Sequence, residues 1–386
     1  MKPVYIYAEN LDDKTKNQFY ECVKKSYVKA AALMPDAHLG YAAPIGSVIA
    51  TKGYVVPAWV GFDIGCGVCA FKLRGVKPSE IITNANKIYS EVSKRIPLGV
   101  GQRRKIEDVS TETISSFNLL VDKYRSLPNN KNLLNFFKTA ALHQVGTLGG
   151  GNHFIELGSS GKEVWLVIHS GSRGIGHRIA NHYMEYSAEK NKNHNIETTN
   201  AIKSDSEIGK EYMAAEEICL EYALLNRLEM GRHALNAIEK ALKKKIDYVL
   251  WTNKNHNHVV LEKGLYIHRK GATPAKKKER GVIPGNMRDG SVLVEGKGNK
   301  KFLNSSSHGA GRIMSRKDAI TKVSLDDFKS SMSGIKAEVS EATLNEAPQV
   351  YKNIEDVMSL QKSSVKVIKK IKPLINWKGI EDKFRD

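Results

Sequence analysis

GYAAPIGSVIATKGYVVPAWVGFDIGCGVCAFKLRG, residues 40–75, is the stretch from which the fold class is read. Its short β-branched runs are broken by glycine and proline, the pattern of strands joined by tight turns. Upstream, FYECVKKSYVKAAAL (19–33) reads as a helix closed by Pro35. Downstream, residues 78–96 read as helical before a flexible basic loop, GVGQRRK (99–105). A helix near 130–142 leads into GTLGGGNHFIEL, whose glycines force a loop before a strand opens at NHFIEL. EVWLVIH (163–169) is nearly all apolar, as a strand buried on both faces would be. GSRGIGHRIA turns out of it into a helix, and the polar run 188–206 reads as an exposed loop.

The longest helical signal is 209–246, where Ile218, Tyr222 and Leu225 recur at helical spacing and Leu235 and Ile238 resume the stripe. Its end, KALKKKI, places lysines where the helix dipole favours them; a solvated face is at least as good a reading of them as contact with a polyanion. From 247 to about 310 strands and turns return, followed by a short acidic stretch and a basic helix at 354–371. With no repeat or low-complexity linker, and with motifs spread from 34 to 378, the expectation is α+β: one compact domain over 1–386, with mixed or antiparallel sheets flanked by helices.

Composition narrows the class. Sixty Lys and Arg against 41 Asp and Glu give a formal net charge of +19, which points to a polyanionic partner; a basic surface kept for solubility is the plainer alternative. No apolar run is long enough to span a bilayer, and the N-terminal residues lack a secretory layout, so a cytoplasmic protein is expected. Four cysteines (Cys22, Cys66, Cys69 and Cys219) in 386 residues make no disulfide framework.

Several residues carry chemistry. Asp63 and Cys66, three apart among glycines, can converge on one transition metal. Cys69 creates a rival CxxC reading, but no second CxxC exists and Cys69 alternates into a strand, so it reads as a core residue. His153, His169 and His256 each lie where a β-run meets a polar or glycine-rich turn, as rigid imidazole ligands would. His258 shares a strand face with His256, and spacing does not choose between them. His177, His182, His194 and His233 read as surface or packing residues. His308, in NSSSHGAGRIMSR, has small neighbours, glycine amides that could approach phosphate, and Arg312 and Arg316 nearby. That suits a nucleophile attacking phosphorus; a glycine-rich turn at a helix start fits the spacing equally well.

Together these motifs resemble the RtcB family of RNA-splicing ligases. The matches are MPDAHLG (34–40), PIGSV (44–48), VGFDIGCG (60–67), GTLGGGNHFIE (146–156), HSGSRGIG (169–176), LNR (225–227), HN (256–257), RKGAT (269–273), IPGNM (283–287), SSHGAGRIMSR (306–316), EAPQVYK (346–352) and WKG (377–379). They run in family order and cover almost the whole chain. The resemblance implies two Mn²⁺ ions held by Asp63, Cys66, His153, His169 and His256, with Cys66 shared, and it favours His256 over His258 because the family ligand precedes an asparagine. It implies that His308 is guanylylated and that Asn152, Glu156, Ser291, Gly309, Ala310, Tyr351 and Lys378 contact GTP. Arg173 matches an arginine that holds phosphate of the RNA end.

The implied activity joins RNA 2′,3′-cyclic phosphate or 3′-phosphate ends to 5′-hydroxyl ends, in tRNA splicing or RNA repair. The implied partners are broken or spliced RNA, GTP and an archease-like activator, with a monomer as the working form. Asn286 stands where the family often has serine, SSSHGAG replaces a common SCSHGAG, and Asn345 replaces an aspartate. These departures touch nucleotide preference and RNA choice rather than reaction class. The rival readings are a metal-dependent phosphoesterase acting on RNA ends, an enzyme that caps ends with GMP without joining them, and a non-enzymatic RNA-binding protein.

Overall fold

Residues 40–75 form three strands, Ile45–Thr51, Tyr54–Val55 and Gly67–Arg74, each ended by a glycine or proline turn. They belong to three different sheets. The computed structural model describes residues 2–128, 131–192 and 195–379. A five-stranded sheet runs in the order Val4–Ile6, Val28–His38, Ile45–Thr51, Leu265–Lys270, Asn257–Glu262. An eight-stranded sheet runs Arg280–Pro284, Ser291–Gly296, Val365–Lys378, Phe154–Ser160, Glu163–Ser170, Gly67–Arg74, Asp247–Asn255, with Lys336–Ala337 pairing on the side of Val365–Lys378. Pairing is antiparallel except for Val4–Ile6 on Val28–His38 and Lys336–Ala337 on Val365–Lys378. The architecture is therefore α+β, with mixed sheets flanked by helices.

The long helix, Glu207–Leu242, joins the two largest cores. Ile218, Cys219 and Tyr222 sit in one with Trp59 and Ile175, and Met230, Ala234, Leu235 and Ile238 sit in the other with Ile155 and Leu166. Each buried Leu or Ile contributes about 1.5–3 kcal/mol. Lys243 caps this helix in a left-handed conformation, so Lys243–Lys245 lie beyond its last turn rather than within it. Among the described residues, no helix is long and apolar enough to cross a membrane.

Four sequence readings need correction. The first helix is Asp13–Val23, opened by Asp12, whose carboxylate accepts from the Thr15 amide at 2.9 Å. Residues 28–33, expected to continue it, are strand. The KAAAL composition favours helix, but this segment is paired on both edges by neighbouring strands and its alanines are buried, so sheet pairing overrides propensity. Pro35 does not end this strand. It lies in an irregular stretch where the pairing register shifts between Leu33 and His38, a place where a missing amide donor is tolerated.

Residues 354–371 are not one basic helix. Helix Ile354–Leu360 gives way to the strand Val365–Lys378, which lies between Ser291–Gly296 and Phe154–Ser160. Val365, Ile371 and Ile375 are buried while Lys366, Lys370 and Lys372 are exposed, and sheet pairing outweighs helical propensity. The run 188–206 is not a fully exposed loop: the preceding helix continues to Lys190, Ile202–Lys203 pairs with Tyr54–Val55, and Asn200, Ile202 and Ser204 are buried. His194 lies outside the described residues.

Candidate active site

Four adjacent strands of the large sheet deliver their ends to one place. His153 directly precedes Phe154–Ser160, and His169 closes the antiparallel partner Glu163–Ser170, opposite Phe154. Asp63 and Cys66 form the turn into Gly67–Arg74, and His256 follows Asp247–Asn255. Paired strands lie about 4.8 Å apart, close enough for side chains at their ends to meet. Cys66 Sγ lies 3.4 Å from His153 Nε2 and 3.1 Å from His169 Nε2. Asp63 Oδ2 is 3.1 Å from His153 Nε2, and His169 Nε2 faces His256 Nε2 at 3.3 Å.

This set has the chemistry of a metal centre. Cys66, His153 and His169 are buried, with ligand atoms all within 4.8 Å of one another, so they can hold a metal ion. Burial pushes the imidazoles of His169 and His256 well below their ordinary range, with neighbouring cationic groups adding to it, so both rings are neutral, the form that could ligate a metal. Burial and then Asp63 push the Cys66 thiol well up, and a bound cation would reverse that balance by stabilising the thiolate. His153 Nδ1 sits 3.0 Å from the Leu148 carbonyl, which leaves Nε2 turned toward Cys66. His258 is directed elsewhere, to Arg269 at 3.2 Å. Cys69 is buried in the core.

The close approach dictates two glycines. A Cβ at Gly171 would lie 2.1 Å from Asp63 Oδ1, and one at Gly149 would lie 2.0 Å from the Arg173 guanidinium. Arg173, at φ 58°, opens the helix Arg173–Lys190 and reaches within 3.5 Å of His153.

His308 follows the short strand Ser305–Ser307, and its ring centroid lies 4.9 Å from that of His256. Its Nδ1 is 2.6 Å from Asp36 Oδ2, which also accepts from the His308 amide at 3.1 Å and the Gly309 amide at 3.3 Å. Burial opposes the charge on Asp36, yet His308 outweighs it and holds this carboxyl below its ordinary value. The Gly309 amide, read from sequence as free to approach phosphate, donates to Asp36 here.

A cavity of about 810 Å³ opens over this histidine and the Cys66–His169 cluster. Asn152, Glu156, Gly309, Ala310, Tyr351 and Lys378 line it, together with Asp63, Cys66, His169, His256 and His308. A second cavity of about 1010 Å³ is lined by Arg173, His177, His182 and Arg178. Both include Phe62, Asp63, Asn152 and Arg316 in their walls, so the Cys66–His153–His169 cluster is approached from two sides.

A family model described as tRNA-splicing ligase RtcB matches residues 21–379. The chain belongs to the RtcB family. It is 31% identical to the RNA-splicing ligase RtcB of Escherichia coli strain K12 over 393 residues, covering 94% of each protein. The RNA-splicing ligase RtcB1 of another Escherichia coli strain, ATCC 25922, is equally similar, with 31% identity and the same coverage. The tRNA-splicing ligase RtcB of Methanococcus maripaludis is 28% identical over 424 residues, 91% of this chain and 88% of that relative.

Within this RtcB chain, Glu156, Ser291 and Lys378 lie on three neighbouring strands of the large sheet, with Glu156 and Lys378 in the cavity wall and Ser291 beside Glu156. Ser291 lies within reach of the Glu156 carboxyl, and Glu156 Oε1 and Asn376 Oδ1 are buried in the cavity wall. Burial pushes the Glu156 carboxyl from about 4.5 up to about 8. Between those values the folded protein keeps a proton that the unfolded chain releases, so stability falls as pH rises across that window. Glu156→Gln is expected to flatten this fall by up to about 1.4 kcal/mol per pH unit. Thermal unfolding from pH 5 to 8 checks it, and parallel curves for the two proteins would overturn it.

Two residues of the RtcB site escape a reading by spacing. Asp36 is one. Glu346 is the other: it pairs with Lys378 at 2.8 Å and Arg312 at 3.0 Å and accepts from the Tyr351 hydroxyl. Burial works against its charge, but Lys378 and Arg312 outweigh it and bring Glu346 down to about 2. Both residues lie in quoted motifs, MPDAHLG and EAPQVYK, and motif membership was the only available signal. Asn286 borders the first cavity and bonds Asp289 at 2.7 Å, while the Asn345 carbonyl accepts from Arg312 at 2.8 Å.

Proposed function

We propose that this protein is a GTP- and Mn²⁺-dependent RNA ligase that joins a 2′,3′-cyclic phosphate or 3′-phosphate end to a 5′-hydroxyl end. The observation that carries this reading is the Asp36–His308 pair beside the metal-ligand cluster. Asp36 accepts at Nδ1, so Nδ1 keeps the ring proton and Nε2 keeps a lone pair. In that neutral tautomer Nε2 is the nucleophile. In this reading Nε2 attacks the α-phosphorus of GTP, the new N–P bond forms, and pyrophosphate leaves.

The guanylyl group then passes from His308 to an RNA 3′-phosphate, and a 5′-hydroxyl attacks that activated phosphorus to form the phosphodiester and release GMP. Mn²⁺ held by Asp63, Cys66, His153, His169 and His256 would neutralise phosphate charge at these steps. Glu156, once ionised, offers acceptors for guanine N–H groups, and Lys378, held by Glu346, offers a donor for the base oxygen. Ser291, Tyr351, Asn152, Gly309 and Ala310 complete the nucleotide's surroundings. Arg173 meets the RNA phosphate from the second cavity. The net charge of +19 suits RNA as partner, such as cleaved tRNA. An archease-like activator, a monomeric working form and a cytoplasmic setting belong to the same reading.

The test is ligation of a cleaved tRNA anticodon loop with GTP and Mn²⁺, beside an ATP control. Joined RNA is expected with GTP. Opened 3′-phosphate without joined product would mark a phosphoesterase, and GMP-capped ends without joining would mark a capping enzyme. Asp36→Asn sharpens the test. The asparagine carbonyl would stay on the His308 and Gly309 amides but, being neutral, would hold the ring proton at Nδ1 less firmly than the carboxylate does and so weaken the nucleophile at Nε2. Guanylylation is expected to slow by about 10²–10⁴-fold, and a wild-type rate of adduct formation would disprove the tautomer role.

A further inference from the structure

The LNR motif has no role in the chemistry above, yet its last two residues occupy a singular place. Asn226 and Arg227 lie in the middle of the long helix and are fully buried. Arg227 donates to the Gly65 carbonyl at 3.0 Å, the Ser170 carbonyl at 2.8 Å, and the side chains of Asn253 and Asn255 at 2.6 Å each. Asn226 accepts from the Gly146 and Thr147 amides at 2.7 and 3.2 Å. It donates to Ser170 Oγ at 3.1 Å and to the Gly171 carbonyl at 3.0 Å.

These contacts fall on every turn that carries a candidate metal ligand. Gly65 lies between Asp63 and Cys66. Ser170 and Gly171 follow His169. Asn255 precedes His256. Thr147 leads to Leu148, whose carbonyl holds both His153 Nδ1 and Ser170 Oγ. The turns are also tied to each other, since the His256 amide donates to the Cys66 carbonyl at 2.7 Å.

Burying a guanidinium costs several kcal/mol before its bonds are counted, and apolar side chains of similar volume often serve stability as well or better. Asparagine is also a poor residue for a helix interior. Stability alone therefore does not account for this pair. We propose that Asn226 and Arg227 are positioning residues of the metal centre, setting the spacing of its ligand-bearing turns from one rigid helix before any ion binds. The inference rests on the reading of those five side chains as metal ligands.

The test uses the full chain with Co²⁺ as a spectroscopic probe. Wild type is expected to show a thiolate-to-cobalt absorption band on titration; its absence would overturn the ligand reading itself. Arg227→Lys and Asn226→Asp are compared with the apolar double replacement Asn226→Leu with Arg227→Met, which keeps the volume filled should a single variant fail to fold. Folded variants are expected to bind Co²⁺ about 10- to 100-fold more weakly, with an altered band shape. Metal-free unfolding is measured alongside. Wild-type affinity and spectrum in a folded variant overturn the positioning role, as does an affinity loss that merely tracks lost metal-free stability.

Discussion

His308→Ala is expected to abolish the covalent protein–GMP adduct and to reduce RNA joining by about 10⁴-fold or more, as loss of a covalent nucleophile does. The ring lies within the cavity, its Nδ1 is held by Asp36, and among the described residues no second imidazole has that arrangement. His38 is near, but its Nδ1 faces the Asp36 carbonyl at 3.0 Å and burial pushes it down to about 4. It does not share the carboxylate that fixes the tautomer of His308. The measurement is transfer of label from α-labelled GTP to protein in the presence of Mn²⁺. Co²⁺ binding by the same variant should persist, because the ligand cluster is left whole. Label retained on His308→Ala would refute the assignment outright.

Cys66→Ala is expected to have an effect of similar size by another route. Cys66 touches both His153 and His169, so its sulfur is the junction of the cluster. Removing it takes away the one soft donor and the contact that joins the histidines. Mn²⁺ and Co²⁺ affinity should fall by at least about 10²-fold, and adduct formation and joining should fall together by about 10³-fold or more. Stripping metal from wild type with a chelator should reproduce the loss, and added Mn²⁺ should restore activity to wild type but not to the variant. Full activity of metal-stripped protein would remove the metal from the reaction. Unlike His308→Ala, this variant should lose metal and adduct at once, which separates the two roles.

The strands around the site were legible because they are written locally. Val164–Ile168 could be nothing but a buried run, and the glycines beside Asp63, His153 and His308 marked turns where side chains face one space. The helix–strand errors came where local propensity and tertiary pairing disagree. Residues 28–33 are helix formers by composition but are held between two strands, and Val365–Lys378 becomes strand because two neighbours offer it their edges. Asp36 and Glu346 were hidden for a related reason. An acidic residue's role depends on what it meets, and Asp36 meets His308 from 272 positions away.

What the sequence determined by itself was the α+β class, the basic charge, the family, and the identity of the chemically capable side chains, since each follows from residue type and short-range pattern. Tertiary structure alone decided which of these side chains meet. Four strand ends brought side by side place Cys66 within 3.4 Å of two histidines. The irregular strand at Pro35 lies next to the carboxylate that fixes the ring of His308. The buried Asn226–Arg227 pair ties the ligand-bearing turns to one helix. Hydrogen bonds of 2.6–3.1 Å between residues tens to hundreds apart depend on the packing of whole sheets, and no local pattern encodes them.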